Sequence, residues 1–489
     1  MKKAGIYILF IFTVFFEACD SPISSYTTVD RYATIYPKYE GTYIPYNIAP
    51  LNFQIREQGD EYRVRFVADK DSFEIATRKN SNISEKRWKE LLNNSKGQQL
   101  SVKIFSKDNG KWTKYKDIDF TITNEPIDPY VAYRLIEAGY ELWNKMGLYQ
   151  RCVENFDESP IMLNTLTDNN CMNCHSFSKN KPEIMLFHMR GAHAGTMIAK
   201  QDEVKKVDMK TSWMPASGVY PRWHPGERFV AFSTNKTSQG FLTAHTNKIE
   251  VFDTESDIII YDTQENRIYT NALISSNSSY ETFPEWSPDG KYLYFCSAPA
   301  LDMPREYQSI KYDLLRIAFN PKTGVLGNKV DTLVSAKETN KSSVIPRISP
   351  DGKHLVFCMS DYGTFPIWHR ENDLYHLDLG TNEISNMSDM NSDQSDSYHS
   401  WSSNGRWMIF SSRRFDGNYT RLYISYFDEQ GKAHKAFLLP QKDPEYYDYL
   451  LKSYNIPECI TGKVKISPYK FNEIARGEAI TPTSGSWVQ

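Results

Sequence analysis

The sequence predicts an all-β protein in which a β-propeller, expected to have six blades, follows a small β-sandwich domain and a linking helix. Three observations predict this class: a segment that recurs four times, stretches of alternating apolar and polar side chains, and an aromatic content of 14%. Aromatic side chains suit the pleated surface of a sheet. The chain of 489 residues is long enough for about two or three domains.

The charge balance argues against two classes of partner. Lys and Arg number 57 and Asp and Glu number 60, which gives a formal net charge of −3. Because there is neither a basic excess nor a polybasic block, we expect no nucleic-acid partner and no direct binding to anionic lipid. Hydrophobic residues make up 40% of the chain, enough for a packed core.

The N-terminus predicts export. Met1–Lys3 is positively charged, and residues 4–16 form an apolar run that is too short to span a membrane comfortably. The Phe-Phe-Glu-Ala-Cys stretch at 15–19 resembles a bacterial lipoprotein signal, which implies lipid attachment at Cys19. Cleavage that leaves Cys19 free is the alternative. We therefore expect a location in the bacterial cell envelope, at its periplasmic or outer-membrane face, with membrane contact through the lipid anchor only.

Five segments are predicted along the chain. They are a signal peptide (1–19), a flexible tether (20–35), a β-sandwich (36–125), a helical linker (126–170) and the propeller (171–489). Period-two alternation in 62–67 and 100–105 favours strands in the β-sandwich. Apolar residues at helical spacing between Asp128 and Gln150 favour one amphipathic helix in the linker.

A repeated segment defines the propeller. Its four copies are Trp223–Ser233, Trp286–Cys296, Ile348–Cys358 and Trp401–Ser411. Each copy combines the end of one strand, a tight turn such as Pro288-Asp289-Gly290, and an alternating second strand. A third strand follows each copy, for example at 313–317. A blade of this size cannot bury both faces alone, so the blades must close into a ring.

The Trp-Ser-Pro-Asp-Gly-Lys stretch at Trp286–Lys291, followed by an aromatic-rich strand, resembles the repeats of TolB-like β-propellers. The resemblance covers about residues 171–440 and implies the fold, whereas propellers host many functions. A fifth blade is predicted from the second strand at 183–188, with an inner strand at 174–178. The sixth is expected to combine residues 463–467 with a segment before Cys171, which closes the ring through both ends of the chain.

The motif Cys171-Met172-Asn173-Cys174-His175 carries the main chemical prediction. Cys-x-x-Cys-His is the attachment signature of c-type haem, in which two thiols bond the porphyrin and the histidine is an axial iron ligand. We therefore expect one covalent haem c held by Cys171, Cys174 and His175. The alternatives are a local disulfide, half of a zinc site, or a redox dithiol.

Distal iron ligands are predicted from the repeat alignment. His188 ends a second strand at a position where the other copies have small residues (Ser233, Cys296, Cys358 and Ser411). His188, Met189 and His193 are the candidates, in the order His188, His193, Met189. His399, which opens an inner strand, is a further candidate across the channel mouth, whereas His224 is expected only to pack beside Trp223.

The function predicted first is electron transfer or another redox role through the haem, with an envelope redox partner. The alternative is a haem-free envelope scaffold or a propeller that binds a glycan or a protein. An enzyme ranks third, because no Gly-x-Ser-x-Gly elbow, phosphate-binding loop or His-Glu-x-x-His motif occurs. Cys296 and Cys358 are expected to be small buried residues. Cys152 and Cys459 are expected either to pair or to remain free.

Overall fold

A computed structural model describes residues 23–137, 145–212, 214, 216–242, 245 and 247–486 of the chain. It consists of an N-terminal sheet domain and a β-propeller of six sheets, which confirms the predicted all-β propeller class. The predicted signal peptide and Cys19 lie outside the described residues. Within the described residues, no helix is both long and apolar enough to cross a bilayer.

The N-terminal domain contains one branched seven-stranded sheet and a two-stranded sheet, rather than the expected two-sheet sandwich. Its strands are β1 Thr27–Tyr32, β2 Ile35–Tyr36, β3 Tyr43–Ile44, β4 Gln54–Ile55, β5 Glu61–Ala68, β6 Asp71–Thr77, β7 Gln99–Asp108, β8 Lys111–Lys116 and β9 Ile118–Ile122. The sheet branches because β7 pairs with β9 along its first half and with β8 along its second half.

Helix α1 (Glu85–Asn94), which the alternating pattern did not predict, packs on this sheet. It begins at Ser84, whose side chain accepts a hydrogen bond from Arg87 N, and this satisfies one free N–H of the first turn. Its buried residues include Trp88, whose ring meets Phe66 of β5 edge-on. The helix thus occupies a position that a second sheet would fill in a sandwich.

Six sheets form the propeller, numbered here as blades 1 to 6. Blade 1 contains β10 Tyr130–Glu137, β11 Met146–Cys152, β12 Glu158–Leu163 and, from near the end of the chain, β33 Lys452–Ile460. Blade 2 contains β13 Met172–Phe177, β14 Ile184–Met189, β15 Gly195–Lys200 and β16 Glu203–Val207. Blade 3 contains β17 Gly218–Trp223, β18 Phe229–Phe241, β19 Ile249–Asp262, β20 Arg267–Thr270 and the late strand β34 Thr483–Ser486. Blade 4 contains β21 Ser279–Trp286, β22 Tyr292–Pro299, β23 Asp313–Asn320 and β24 Val325–Val334. Blade 5 contains β25 Ser342–Ile348, β26 His354–Ser360, β27 Asp373–Asp378 and β28 Ile384–Asn386. Blade 6 contains β29 Asp396–Trp401, β30 Trp407–Ser412, β31 Arg421–Tyr426 and β32 Phe437–Leu438.

Short helices complete the described elements. They are α2 Ala336–Thr339, α3 Tyr446–Tyr449, α4 Pro468–Arg476 and the 3₁₀ turns Asn164–Thr167, Ser178–Asn180 and Pro366–Trp368. Helix α4 buries Phe471 and Ala475 in the core that blades 1 and 2 share. Strand β33 thus completes blade 1 next to the channel, and the segment that follows it packs α4 against blades 1 and 2.

The predicted linking helix between Asp128 and Gln150 is wrong in the described part of that interval. Residues 130–137 and 146–152 are strands β10 and β11, while 138–144 lie outside the described residues. Strand β10 lies between β33 and β11, and the consecutive Val131, Ala132 and Tyr133 are buried, so both of its faces are covered. In such a buried strand the apolar residues run nearly continuously, and a continuous run also satisfies helical spacing.

Ring closure through both chain ends is confirmed, but two predicted boundaries change. The propeller begins at β10, so residues 126–170 belong mostly to blade 1 and are not a separate linker. The closing strand is β33, which precedes the expected 463–467 segment. The fifth predicted copy is confirmed as blade 2, with inner strand β13 and second strand β14.

Each inner strand contains one bulge with a residue in the left-handed region. The six residues are Cys174, Tyr220, Phe283, Ile345, Tyr398 and Ile456, with φ between 47° and 55°. The residue that follows the bulge is Pro in four blades and His in blades 2 and 6. Pro is tolerated because the inner strand is an edge strand whose free side faces the channel. The shared bulge aligns all six inner strands residue by residue.

Candidate functional site

One side chain from each blade forms a ring around the propeller axis. The ring consists of the residue two positions after each bulge, and we call this set the polar ring: Ser176, Arg222, Glu285, Arg347, Ser400 and Glu458. All six line a cavity of about 420 Å³. The inner strands contact one another in blade order, so the members of the polar ring follow the same order around the axis.

The polar ring contains two guanidinium groups and two carboxylates. Glu285 lies between the two cations: its Oε2 is 3.3 Å from Arg222 Nε and 3.3 Å from Arg347 Nη1. Arg222 Nη1 is also 3.7 Å from Glu458 Oε2. Burial, together with repulsion from Arg222, lowers the pKa of Arg347 to about 10, which keeps Arg347 charged at neutral pH. The ring is therefore close to electroneutral when all four groups are ionised.

Four consecutive blades of the ring carry polar atoms that have no partner within the described residues, and these blades include those of the charged Arg347 and Glu458. Among the described residues, Ser176 Oγ, Ser400 Oγ, Glu458 Oε1 and Arg347 Nε are buried and have no hydrogen-bond partner. They lie on blades 5, 6, 1 and 2, which are consecutive around the ring. Burial raises the pKa of Glu458, although Arg222 and the N–H of Phe177 favour its charged form. A buried polar atom without a partner costs about 1–3 kcal/mol, so this side is suited to receive hydrogen bonds from a ligand.

Four aromatic side chains and Ile348 form the next layer towards the mouth, which we call the aromatic layer. Phe177, Trp223, Trp286, Ile348 and Trp401 follow the polar ring by one residue and also line the cavity. The indole of Trp286 donates to Arg222 O at 3.1 Å, and that of Trp401 donates to Arg347 O at 3.1 Å. Each bond links a blade to the preceding one, so these two indoles are held in place.

The mouth of the cavity lies at the turns between first and second strands. Pro225, Pro288 and Pro350 border it, together with the exposed Lys179. The connection from β9 to β10 reaches this end of the ring through Asp128, which accepts hydrogen bonds from Ser403 N at 2.7 Å and from Ser403 Oγ at 2.5 Å. The sheet domain therefore lies beside the entrance of the cavity.

The Cys-x-x-Cys-His motif lies at and within the inner strand of blade 2. Cys171, Cys174 and His175 are 7%, 5% and 4% exposed, and none of the three lines the cavity. Cys171 packs in the hydrophobic core that blades 1 and 2 share. Burial raises the pKa of the Cys174 thiol, which disfavours the reactive thiolate.

Blade register accounts for the second half of this motif. Cys174-His175-Ser176-Phe177 occupies the same positions as Tyr398-His399-Ser400-Trp401 of blade 6, which has no cysteine pair. Burial lowers the pKa of His175 to about 3, so its imidazole is neutral where Nε2 lies 3.9 Å from Glu458 Oε1. Two thiols and an imidazole enclosed in this way do not fit a covalently held porphyrin. Haem attachment stays a prediction.

The three predicted distal ligands have partners of their own in the structure. His188 pairs with Asn173 across the strands, and its Nδ1 lies 3.3 Å from Thr196 Oγ1. Met189 is fully buried in the core of blades 1 and 2. His193 Nε2 lies 2.9 Å from Asp168 Oδ2. Among the described residues, no cluster of three or more His, Cys, Asp or Glu side chains is arranged to hold a metal ion.

The remaining singled-out residues have structural roles. His399 Nε2 lies 2.8 Å from Val356 O of blade 5, and His224 Nε2 lies 3.0 Å from Gly290 O of blade 4. His224 therefore contacts the next blade, and its role is not limited to packing beside Trp223. The six described cysteines, Cys152, Cys171, Cys174, Cys296, Cys358 and Cys459, are buried and free, so the predicted alternative of a Cys152–Cys459 pair is not formed.

The sequence analysis missed the polar ring. Its signal is a short pattern in which a charged or hydroxyl residue follows Pro or His and, in four of the six blades, precedes an aromatic residue, as in Pro221-Arg222-Trp223 and Pro284-Glu285-Trp286. The third residue of the pattern is the first residue of each recurring segment. The pattern is hard to detect in the sequence because the charge of its middle residue differs between the copies.

Comparisons with known proteins give only distant similarities. No family model and no curated protein matches the chain. Among solved structures, a puromycin hydrolase S511A mutant complexed with PGG is 12% identical, with a TM-score of 0.37 over 66% of this chain and 54% of that one. An oligogalacturonate lyase in complex with manganese is 10% identical, with a TM-score of 0.35 over 64% of this chain and 74% of that one. The tricorn protease is 11% identical, with a TM-score of 0.35 over 81% and 43%.

The chain spans little more than half of the first matched structures: 54% of the puromycin hydrolase and 57% of a puromycin-hydrolyzing peptidase from Mycobacterium tuberculosis. At these identities and scores the similarities carry no argument about activity. The six sheets and their shared bulge define the architecture by themselves, and on that ground the chain is a six-bladed β-propeller.

Proposed function

We propose that this chain is a binding protein whose propeller captures a small polar ligand in the axial cavity, without haem. The observation that carries the proposal is the set of four unpartnered buried polar atoms on one side of the polar ring. Ligand sites combine an apolar wall with a few placed polar groups, and the aromatic layer above the ring supplies such a wall. This is the haem-free alternative of the sequence analysis, with the binding site now specified.

We also propose that the protein works in the bacterial cell envelope, attached through a lipid on Cys19. The support is the sequence of residues 1–19 alone. In such a protein the sheet domain would connect the lipid anchor to the propeller, and it lies beside the entrance of the cavity.

The test is a ligand screen with a blocked cavity as control. The wild type and the variant Ser176→Phe are screened by thermal shift against sugars, sugar acids, amino acids and nucleotides. We expect at least one class to raise the melting temperature of the wild type only, because phenylalanine fills the space in front of the polar ring. Ser400→Phe, on another blade, repeats the test should Ser176→Phe fail to fold. Equal responses in wild type and blocked variants, or no response, would refute the proposal.

A further inference from the structure

We propose that the axial cavity recognises a neutral polyhydroxylated ligand, namely one or two sugar units of an uncharged glycan. The inference rests on the proposed function and names the chemical class of its ligand. Its basis is the juxtaposition of a charge-compensated polar ring, unpartnered donors and acceptors, and ordered aromatic side chains in one cavity.

Charge compensation within the ring disfavours an ionic ligand. Glu285 contacts both Arg222 and Arg347, and Arg222 also approaches Glu458. A ligand carboxylate would therefore compete with Glu285 for cations that are already paired, while a ligand ammonium would meet the guanidinium groups. A charge buried without a counter-ion costs several kcal/mol. Lys179 at the mouth is exposed, so its charge is solvated and gives a buried anion little compensation.

The unpartnered atoms require both donors and acceptors from the ligand. Glu458 Oε1 can only accept, Arg347 Nε can only donate, and the hydroxyls of Ser176 and Ser400 can do both. A ligand hydroxyl donates one hydrogen bond and accepts others, so adjacent hydroxyls on a sugar ring meet all these requirements without carrying charge. An apolar ligand would leave the same atoms unsatisfied.

The aromatic layer supplies the second half of sugar recognition. Trp286 and Trp401 are oriented by hydrogen bonds to the neighbouring blades, and Trp223 stands at the equivalent position of blade 3. A pyranose has apolar faces of C–H groups that pack on aromatic rings, while its hydroxyls point outward in the ring plane. The aromatic layer and the polar ring differ by one position along each strand, so a sugar that bonds the ring also meets the small part of each indole that lines the cavity.

The experiment compares matched probes that differ in charge. Methyl glucoside, methyl galactoside, methyl mannoside and their disaccharides are titrated into the wild type by calorimetry, alongside glucuronate, galacturonate and glucosamine. We expect a neutral sugar to bind and its charged analogue to bind at least about ten-fold more weakly. Glu458→Gln should weaken binding by about ten-fold or more, because a hydrogen bond to a charged acceptor is lost.

Two controls make the outcome decisive. Ser400→Ala removes one hydroxyl with minimal disturbance of packing and should weaken binding less than Glu458→Gln. Glu265→Gln, on an exposed acid of blade 3, should bind as the wild type does. Preferred binding of a uronate or of glucosamine, blocked by Ser176→Phe, would overturn the inference and leave the proposed function standing. Neutral-sugar binding that persists in Ser176→Phe, or the absence of any binding, would overturn both.

Discussion

A buried histidine fastens the long hairpin of blade 3 to blade 5, and its removal gives the sharpest prediction. His369 Nε2 lies 3.0 Å from Glu250 Oε1 of β19, and His369 Nδ1 lies 3.4 Å from Glu371 Oε1. Tyr362 OH donates to Glu250 Oε2 at 3.0 Å. Burial lowers the pKa of His369, but the two glutamates outweigh burial and raise the pKa to about 9. His369 is therefore a buried imidazolium between two carboxylates at neutral pH.

The magnitude follows from the two pKa values. The pKa of His369 is 6.5 when it is not perturbed and about 9 in the folded protein. At 1.36 kcal/mol per pKa unit, protonation of His369 stabilises the fold by about 3 kcal/mol. Because the folded pKa is the higher one, this contribution is complete below about pH 6.5 and disappears as the pH rises through about 9. The same rise in pH leaves Glu250 buried without a cationic partner.

We predict that His369→Gln destabilises the protein by about 3–5 kcal/mol near pH 6 and by much less near pH 9. Urea unfolding followed by tryptophan fluorescence at about pH 6, 7.5 and 9 measures both curves. The control is His193→Gln, which removes an imidazole paired with the exposed Asp168 and should cost about 1 kcal/mol or less. If the wild type and His369→Gln lose stability in parallel over this pH range, the charged interaction does not exist.

Three further predictions concern the ring, the motif and the anchor. Glu285→Gln leaves the charges of Arg222 and Arg347 partly uncompensated and should lower the free energy of unfolding, measured in urea, by about 3–5 kcal/mol. The control Glu265→Gln should lower it by less than about 1 kcal/mol. Equal effects of the two substitutions would mean that the charges of the ring are exposed to solvent. The wild type, co-produced with c-type haem attachment machinery, should have the mass of the polypeptide without haem, because Cys171 and Cys174 are buried; a mass increase equal to one haem, lost in Cys171→Ser with Cys174→Ser, would restore the haem prediction. Cys19→Ser should abolish incorporation of labelled fatty acid in a bacterial host, and incorporation that persists would contradict the lipoprotein signal.

Turn chemistry explains why the propeller is predictable from sequence. The Pro-Asp-Gly turns and the alternating second strands are local signals, and they lie at the first hairpin of blades 4 and 5 as expected. Blade 1 gives no such signal, because three of its strands come from 130–163 and the fourth from 452–460. Pairing over more than 300 residues leaves no short-range pattern, so the buried strand β10 resembled a helix. Helix α1 was missed for a related reason, since its ten residues stand between long alternating strands.

The site was harder to predict than the fold because its signal is distributed. The haem motif is compact in sequence, yet the structure divides it: Cys171 enters the core, Cys174 occupies the bulge and His175 replaces the proline of other blades. The polar ring has the opposite character, since each member is a single residue and only the ring brings them together. Ser400 in blade 6 and Arg222 in blade 3 are recognised as members of one set only when the six bulges are aligned, because both then stand two residues after a bulge and line the cavity.

Packing alone does not explain the composition of the ring. The bulge residues, two positions earlier on the same strands, include the buried Phe283 and Ile345 and the partly buried Tyr220, and the ring centroids of Tyr220 and Phe283 lie 4.5 Å apart. The same strands thus build an apolar layer around the axis where only closure is needed. At the polar ring they instead bury ion pairs, which typically stabilise a fold no better than apolar side chains of similar size, together with four polar atoms that have no partner among the described residues. A ligand that bonds those atoms would give them the partners that the protein does not supply, and this supports the proposal that the cavity is a binding site.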